Sequence, residues 1–281
     1  RKILFLFAEV ILLLLLLILS ISLGAVRIPP VEVVKTLFLK ATSPRWEVII
    51  LNIRLPQALA AVAGGAGLAV AGAAMQSILR NPLGSPFTLG ISNAAAFGAA
   101  LSVMVIGSGV MHSTSADAVT IQNPYLTTSF AFLFCLLATG VILLVAQIKK
   151  ASPEVMVLTG VTLGALFTAG TMFLQYFADD IQLAAMVFWT FGDVGRASWR
   201  ELLFISLLTA GAFIYFLFNR WNYNALNAGD ETARGLGVPV ERTRLIGMVV
   251  ASLVTAVIIA FVGIIGFVGL VCPHITRRLV G

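Results

Sequence analysis

The segment LPQALAAVAGGAGLAVAGAAMQSIL, residues 55–79, carries no charged side chain along its whole length. A helix needs about 20 apolar residues to cross the hydrocarbon core of a bilayer, so this segment is long enough to span a membrane. Gly65, Ala69 and Ala73 recur every fourth residue, which places them on one helical face. Because small side chains at that spacing let helices approach closely in lipid, the segment predicts a tightly packed membrane-spanning helix.

The rest of the chain is similarly apolar. Of its 281 residues, 59% are hydrophobic and 11% are charged, and the mean hydropathy is +1.03. An average soluble domain is about 25% charged, so the composition argues against a soluble fold. Apolar runs of spanning length fall at residues 3–23, 55–79, 87–106, 126–148, 155–177, 201–218 and 245–262.

An eighth run, residues 263–279, is short and is broken by Gly266, Gly269 and Pro273. A break exposed to lipid would leave backbone groups without hydrogen bonds, so we expect this segment to be buried in protein or to line a cavity. Together the runs predict an all-α, polytopic transmembrane helical bundle. We expect residues 1–281 to form a single membrane domain.

The charges predict the orientation of the chain. The net charge is +6, but the basic residues lie almost entirely between apolar runs, which indicates membrane topology rather than nucleic-acid binding. Counted over alternate loops, Lys and Arg favour the side that includes the N-terminus. We therefore expect a multi-pass protein of the cytoplasmic membrane of a prokaryote, with a cytoplasmic N-terminus. Residues 219–244 should be cytoplasmic and residues 27–54 should be outside.

The polar segment within residues 219–244 is compatible with short helices on the membrane surface. Gly235 and Gly237 are placed to end such a helix, because glycine adopts the left-handed conformation that β-branched residues avoid. This region departs from a simple bundle and is a candidate for contact with a partner protein.

Motifs for catalysis and cofactor binding are missing from the sequence. A Walker A motif needs a lysine directly after a glycine, and no lysine here follows a glycine. His112 and His274 are too far apart to suggest a zinc site, and Cys135 and Cys272 each lie in an apolar run. We therefore predict no catalytic residue, cofactor or metal, and expect any ATP hydrolysis to occur on partner subunits.

Two other classes of membrane protein must be weighed. An ion-coupled secondary transporter would use ionisable residues at membrane depth, and Glu9 is the only acid in the middle of a predicted span. An intramembrane enzyme would gather acids or histidines near one membrane face, whereas the acids here are scattered. The ion-coupled secondary transporter stays the alternative function, in which the polar segment at residues 219–244 need contact no partner.

The run at residues 155–177 carries one mildly polar stripe. Gly164, Thr168, Thr171 and Gln175 follow a spacing of i, i+4, i+7 and i+11, so they share a helical face. Hydroxyl groups in membrane helices often bond to their own backbone, which is one interpretation. The other is an uncharged wall of a translocation path.

An ordered series of motifs resembles the FecCD-type permeases of ABC importers, which include permeases for vitamin B12, siderophores and haem. The resemblance covers essentially residues 27–279. The motifs are Ile53-Arg54-Leu55-Pro56, Gly72-Ala73-Ala74-Met75-Gln76, Arg80-Asn81-Pro82-Leu83, Leu89-Gly90-Ile91-Ser92-Asn93, Leu158-Thr159-Gly160-Val161-Thr162-Leu163-Gly164, Trp189 with Gly192, Ala233-Arg234-Gly235-Leu236-Gly237-Val238, and Gly266 to His274.

This resemblance implies a subunit with ten membrane helices that pairs with a second permease subunit, often an identical one. It also implies two cytoplasmic ABC ATPase subunits, an extracytoplasmic substrate-binding protein, and a cargo such as an iron chelate, haem or a corrinoid. Only eight candidate spans occur here, so we expect the last two helices of the family to be absent from this sequence. Alternating access driven by ATP is the implied mechanism.

The resemblance also implies roles for particular residues. Arg54 matches an arginine that meets acids of the binding protein, while Gln57 stands where a second such arginine is usual. Residues 222–240 match the coupling helices that contact the ATPase, with Asp230, Glu231, Arg234, Gly235, Leu236 and Gly237 at their centre. Ala151, Ser152 and Pro153 resemble the cytoplasmic gate.

Overall fold

The computed structural model describes residues 2–38, 43–106, 109–111, 119–121, 124–149 and 152–280. Nearly all of them are helical. The helices are α1 Lys2–Ser22, α2 Pro30–Phe38, α3 Pro44–Glu47, α4 Leu55–Ile78, α5 Ile91–Ile106, α6 Pro124–Ile148, α7 Pro153–Phe177, α8 Asp180–Thr190, α9 Trp199–Phe218, α10 Arg220–Asn227, α11 Asp230–Gly235, α12 Val240–Val262 and α13 Val268–Val280.

Six described helical stretches are long and apolar enough to cross a membrane. They are Ile3–Ser22, Pro44–Ile78, Pro124–Ile148, Pro153–Phe177, Trp199–Phe218 and Val240–Val262. The second includes a π-helical stretch, Val48–Arg54, that joins α3 to α4 without a break. Helix α5 is apolar but shorter, and α13 is shorter still. The prediction of an all-α polytopic bundle is confirmed.

A small hairpin is the one sheet among the described residues. Strands β1 Gly109–Met111 and β2 Val119–Ile121 pair antiparallel, with Gly109 opposite Ile121. Helix α8 is also additional to the predicted runs, because its 11 residues are too few to span a bilayer. It begins with a capping box in which Asp179 accepts from the Gln182 backbone N–H at 2.8 Å.

Helix α4 packs at the centre of the bundle. A Cβ on Gly72 would lie 1.8 Å from the carbonyl oxygen of Gly269, and one on Gly67 would lie 2.7 Å from Ile258. On the face predicted from Gly65, Ala69 and Ala73 all three residues are half-buried, and nothing in this chain lies within 4 Å of a Cβ on Gly65. The close contacts use neighbouring positions, since the small residues of α4 cover more than one face of the helix and spacing alone cannot select among them.

The break before α13 is fixed by two positive φ angles. Gly263 ends α12 with φ +77°, and Phe267 precedes α13 with φ +65°. Gly269 and Pro273 are buried, and the α13 backbone meets α4 at Gly72, whereas the Phe267 side chain is 71% exposed. The interrupted segment is therefore buried on the side that faces α4.

Candidate coupling surface and translocation groove

Helices α10 and α11 form a short polar platform between α9 and α12. Leu226 and Ala233 are completely buried, and Tyr223 is nearly so, which seats both helices on the bundle. Gly229 separates them with φ +117°, a conformation that glycine adopts without strain. The platform is thus attached by one apolar face, while polar residues cover the other together with the exposed side chains of Trp221 and Leu236.

A buried arginine fixes the start of α11. The Arg244 guanidinium donates to both carboxylate oxygens of Asp230, at 2.7 and 2.5 Å, and its Nε donates to the Ile78 carbonyl at 3.0 Å. Arg244 is 1% exposed. Because Ile78 ends α4 and Arg244 lies in the second turn of α12, one side chain connects α11 to two spans of the bundle. A bidentate arginine–carboxylate contact is among the stronger polar interactions in proteins.

Asp230 also pairs with Arg80, just beyond α4, at 3.2 Å. The hydrogen bonds from Arg244, with a smaller contribution from Arg80, hold the pKa of Asp230 below its ordinary value of 3.8, against the effect of partial burial. A carboxylate with a lowered pKa stabilises the fold above its unfolded-state pKa and loses that effect as the pH falls through its folded-state pKa. Asp230 therefore stays ionised at neutral pH and loses its charge, and with it both ion pairs, only in acid.

The residues predicted for ATPase coupling lie mostly on the outer face of the platform. Glu231, Arg234 and Gly235 are exposed, and the Leu236 side chain is 70% exposed. Arg234 approaches Glu241 at 3.8 Å. Asp230 differs from the others because both of its oxygens are used inside the chain.

The two glycines of this segment have different backbone conformations. Gly237 has φ +81°, as expected for a residue that ends a helix, whereas Gly235 is the last residue of α11 and has no positive φ. The left-handed conformation predicted for the helix stop therefore belongs to Gly237 rather than Gly235. The sequence offers two glycines two residues apart, and only the packing of Val238 and Ala233 decides between them.

The stripe predicted on α7 divides into two pairs. Gly164 and Thr168 line a groove of about 600 Å³ together with Gly90 and Asn93 of the α5 end. The Asn93 amide donates to the Thr168 hydroxyl at 2.7 Å, and that hydroxyl donates to the Gly164 carbonyl at 2.8 Å.

Thr171 and Gln175 are half-buried and lie outside the lining of this groove. The Thr171 hydroxyl donates to the Phe167 carbonyl of its own helix at 2.9 Å. Both threonine hydroxyls thus bond to their own helix backbone, as one interpretation of the stripe expects, and a role of the four residues in the translocation path stays a prediction.

Glycines bring α5 and α7 into backbone contact beside the groove. Gly90 has φ +71°, and a Cβ there would lie 2.7 Å from both the Gly160 carbonyl oxygen and the Gly164 Cα. In turn, a Cβ on Gly160 would meet Leu89 at 2.9 Å. The groove therefore has a neutral wall, in which apolar side chains such as Phe87 and Met172 flank the backbone that the glycines bring together.

The predicted gate is described in part. Ser152 precedes α7 as its N-cap, Pro153 is the first helical residue, and the Ser152 hydroxyl donates to Glu154. Ala151 lies outside the described residues. Proline at the first turn costs the helix no hydrogen bond, so the start of α7 is well defined.

Arg54 has partners within its own chain at the opposite end of the bundle. Its guanidinium donates to the carbonyls of Ile21 at 2.7 Å and Val26 at 2.5 Å, which covers the last turn of α1. Gln57 donates to the Gly195 carbonyl at 3.0 Å. A role for Arg54 in docking a binding protein stays a prediction, whereas Arg27 and Arg45 are exposed at this end.

The sequence model of the FecCD transport family matches residues 12–281. This chain belongs to the FecCD transport family. As a member, the chain is an ABC transporter permease and a multi-pass membrane protein. This family assignment takes the place of the two other protein classes considered from the sequence, the ion-coupled transporter and the intramembrane enzyme. The one candidate for ion coupling, Glu9, lies exposed on α1.

Relatives of this FecCD permease carry names with different cargoes. A Methanocaldococcus jannaschii protein named "Putative ABC transporter permease protein" is 58% identical over 83% of this chain and 66% of its own length. The molybdate import system permease protein of Haemophilus influenzae is 31% identical over 98% of this chain and 79% of its own length. The vitamin B12 import system permease protein of Klebsiella pneumoniae is 34% identical over 97% and 76%. The FecCD permease thus spans about two thirds to four fifths of these relatives.

A solved structure supports the same fold. It is described as an inward-facing conformation of a "putative metal-chelate type ABC transporter", and it matches this FecCD permease with a TM-score of 0.81 at 29% identity. The match covers 99% of this chain and 82% of that chain.

Three residues of the site are not among those predicted from the sequence. Arg80, Asn93 and Arg244 supply the contacts that hold the platform and the groove, although Arg80 and Asn93 stand in the motifs that resemble the family. For Arg244 a signal was present, because this charged residue directly precedes the apolar run at residues 245–262. Such a residue needs a partner, and Asp230 is 14 residues before it.

Proposed function

We propose that this chain is the permease subunit of an importer for an iron chelate, haem or a corrinoid. In this proposal two copies of the chain enclose the path, and separate ATPase subunits power it. ATP-driven movement enters through residues 222–240 and opens or closes the path by alternating access. A binding protein delivers the cargo from outside the cell.

The arrangement of α11 is the observation that carries this proposal. Its outer face presents Glu231, Arg234 and Leu236 to solvent, while Asp230 at its start is held by Arg244 and Arg80. A partner that pushes or turns α11 would therefore act directly on α4 and α12. These ion pairs connect α11 to the spans in addition to the buried contacts of Ala233.

The groove beside α7 supports a cargo with a bulky organic surface. Gly90, Asn93, Gly164 and Thr168 line it with backbone, amide and hydroxyl groups, none of which is charged. Selecting a bare ion needs a ring of charges or carbonyls at close quarters, and a wide neutral groove suits a large chelate better. Thr171 and Gln175 extend the same stripe, and Ser152 and Pro153 at the start of α7 belong to the proposed gate.

The outer end offers separate groups for docking a binding protein. Arg27 and Arg45 are exposed there, whereas Arg54 donates to backbone carbonyls of its own chain. We propose that the exposed arginines make the first contact with acids of the binding protein and that Arg54 contributes after it is released from α1. Exposed pairs of this kind contribute about 0.2 to 1 kcal/mol each, so docking should weaken at high salt.

The test is reconstitution of the permease in lipid vesicles with a cognate ATPase and binding protein. Uptake is measured for ferric citrate, haemin, vitamin B12 and molybdate, each with ATP inside or outside the vesicle. We expect one organic chelate to be taken up only when ATP is on the ATPase side. Uptake driven by a proton or sodium gradient without ATP would contradict the proposal, and uptake of molybdate alone would contradict the cargo class.

A substitution on the platform tests the site. Leu236→Asp places a charge on an exposed apolar side chain of the proposed ATPase contact, and we expect ATPase association to fall at least about tenfold, as for the loss of a well-packed contact residue. Phe38→Asp is the control, because Phe38 is 80% exposed at the opposite end. If the two variants associate equally with the ATPase, residues 222–240 are not part of the ATPase contact.

A further inference from the structure

The two arginines that hold Asp230 are not equivalent. Arg244 is buried, makes two short contacts to the carboxylate and is further fixed by the Ile78 carbonyl. The Arg80 side chain is 46% exposed and reaches Asp230 through a single nitrogen at 3.2 Å. The Arg244 contact is therefore permanent in the folded chain, whereas the Arg80 contact is weak enough to break and re-form.

Arg80 begins the connection between α4 and α5, and this connection is stiffened by its own hydrogen bonds. The Leu83 N–H donates to the Asn81 side chain at 2.9 Å, and the Ser85 N–H donates to the Thr88 hydroxyl at 2.9 Å. Ser85 is 3% exposed. Arg80 itself has φ +48°, an uncommon conformation for a residue with a side chain. Residues 80–90 therefore behave as one unit rather than as a slack loop.

The far end of this unit forms the groove. Gly90 lies in backbone contact with Gly160 and Gly164 of α7, and Asn93, one turn later, donates to Thr168. A displacement at Arg80 is thus transmitted through residues 80–90 to the wall of the groove. Residues 80–90 therefore connect the platform to the groove, in addition to the connection that the membrane-spanning helices provide.

We propose that the Arg80–Asp230 ion pair is a positioning contact that transmits movement of α11 through residues 80–90 to the α5–α7 groove. This inference rests on the proposed function, since it assumes that a partner moves α11. Arg244 keeps α11 attached throughout the cycle. The Arg80 contact determines whether a movement of α11 also displaces the wall of the groove.

The decisive variant is Arg80→Gln, which removes the charge while keeping a long polar side chain. An exposed pair contributes at most about 1 kcal/mol, so we expect uptake per ATP hydrolysed to fall about two- to fivefold, with ATPase association unchanged. Arg80→Lys keeps the charge and should restore most of the coupling. The control is Arg242→Gln, an exposed arginine at the same end for which the described residues provide no ion pair.

Salt separates an electrostatic role from a merely structural one. In the wild type and in Arg242→Gln, raising the ionic strength should lower uptake per ATP toward the Arg80→Gln level, because exposed charges are screened. With the binding protein at saturating concentration, so that docking does not limit uptake, Arg80→Gln itself should show no such response. Normal coupling in Arg80→Gln, or the same salt response as the wild type, would overturn the inference.

A measurement without partners keeps this inference separate from the proposed function. Spin labels are placed at Leu83→Cys and Glu231→Cys in a Cys272→Ser background, since Cys272 is the exposed cysteine of the described chain and Cys135 is buried. Adding Arg80→Gln should broaden the distance distribution between the labels, and Arg80→Lys should not. An unchanged distribution would overturn the inference. If the wild type instead fails to bind or respond to its ATPase, the proposed function fails while this distance result stands.

Discussion

At one end of the molecule α11 is held by two guanidinium groups on one carboxylate, whereas inside the bundle α5 is held to α7 by glycine backbones in contact. The first contact lies at the edge of the bundle, where the Asp230 side chain is 24% exposed and the buried charge of Arg244 is compensated by the carboxylate of Asp230 and the carbonyl of Ile78. The second is lined by neutral groups at membrane depth, where an unpaired charge is expensive. Charges therefore attach the part that a partner would touch, and close packing shapes the part that the cargo would touch.

The comparison predicts that removing the buried arginine has the largest effect. Arg244→Leu leaves Asp230 with one weak partner and leaves the Ile78 carbonyl without its donor, so we expect the free energy of unfolding in detergent to fall by about 3 kcal/mol. Thermal or denaturant unfolding followed by tryptophan fluorescence measures this.

A double variant serves as the control for Arg244. Asp230→Leu combined with Arg244→Leu removes both charges, so its loss should be smaller than the sum of the two single losses. If Arg244→Leu costs less than about 1 kcal/mol, the ion pair does not hold α11 as described here.

Packing at the groove should be nearly as sensitive. Gly90→Ala forces an alanine into φ +71° and places its Cβ 2.7 Å from the backbone of α7, so we expect a loss of about 2 to 4 kcal/mol. The same unfolding measurement applies. Gly65→Ala is the matched control for Gly90→Ala, because the space around Gly65 is open. Its effect on the free energy of unfolding should be neutral or slightly stabilising. Equal losses for the two glycines would contradict the close-contact description.

The third prediction separates two neighbouring glycines of the platform. Gly237→Val should destabilise α11 by about 1 to 2 kcal/mol, because Gly237 has φ +81° and valine avoids that conformation. Gly235→Val should have a much smaller effect, since its φ is helical and nothing lies within 4 Å of a Cβ there. Amide hydrogen exchange over residues 229–238 should rise only in the first variant, and the reverse order would contradict the conformations described.

The smallest effect is expected from a hydroxyl in the groove. Thr168→Val removes the group that accepts from Asn93, so we expect a loss of about 1 kcal/mol. Thr171→Val is the matched control, because that hydroxyl donates to the Phe167 carbonyl within its own helix, and it should be close to neutral. Indistinguishable stabilities would indicate that the Asn93 contact contributes little.

The sequence predicts the spans well because each depends on a local property. An uncharged run such as residues 55–79 must be a helix in lipid, where its backbone groups have no other partners. Helix α8 falls outside this logic because it is too short to span. Its local sequence signal is the capping box formed by Asp179 and Gln182. A search for membrane-spanning runs does not detect this signal, because it marks the start of a helix of any length.

The contacts of the site are harder to predict because their members are far apart in the chain. Arg80 and Asp230 are separated by 150 residues, and no periodicity relates them. Arg54 illustrates a second difficulty. Its resemblance to a docking residue indicates a role with a partner, whereas its hydrogen bonds to Ile21 and Val26 depend on how α1 ends and could not be derived from the sequence.

Helix α13 has a consequence for how the chain enters the membrane. It carries Pro273 within the helix and the charged residues Arg277 and Arg278. A segment that is interrupted by a proline and carries two arginines has little tendency to leave the translocon for lipid by itself. Its partner surface at Gly72 of α4 is synthesised earlier, so α13 inserts by binding a helix that is already in place. Correct biogenesis of the later part of the chain therefore depends on the shape of its second span.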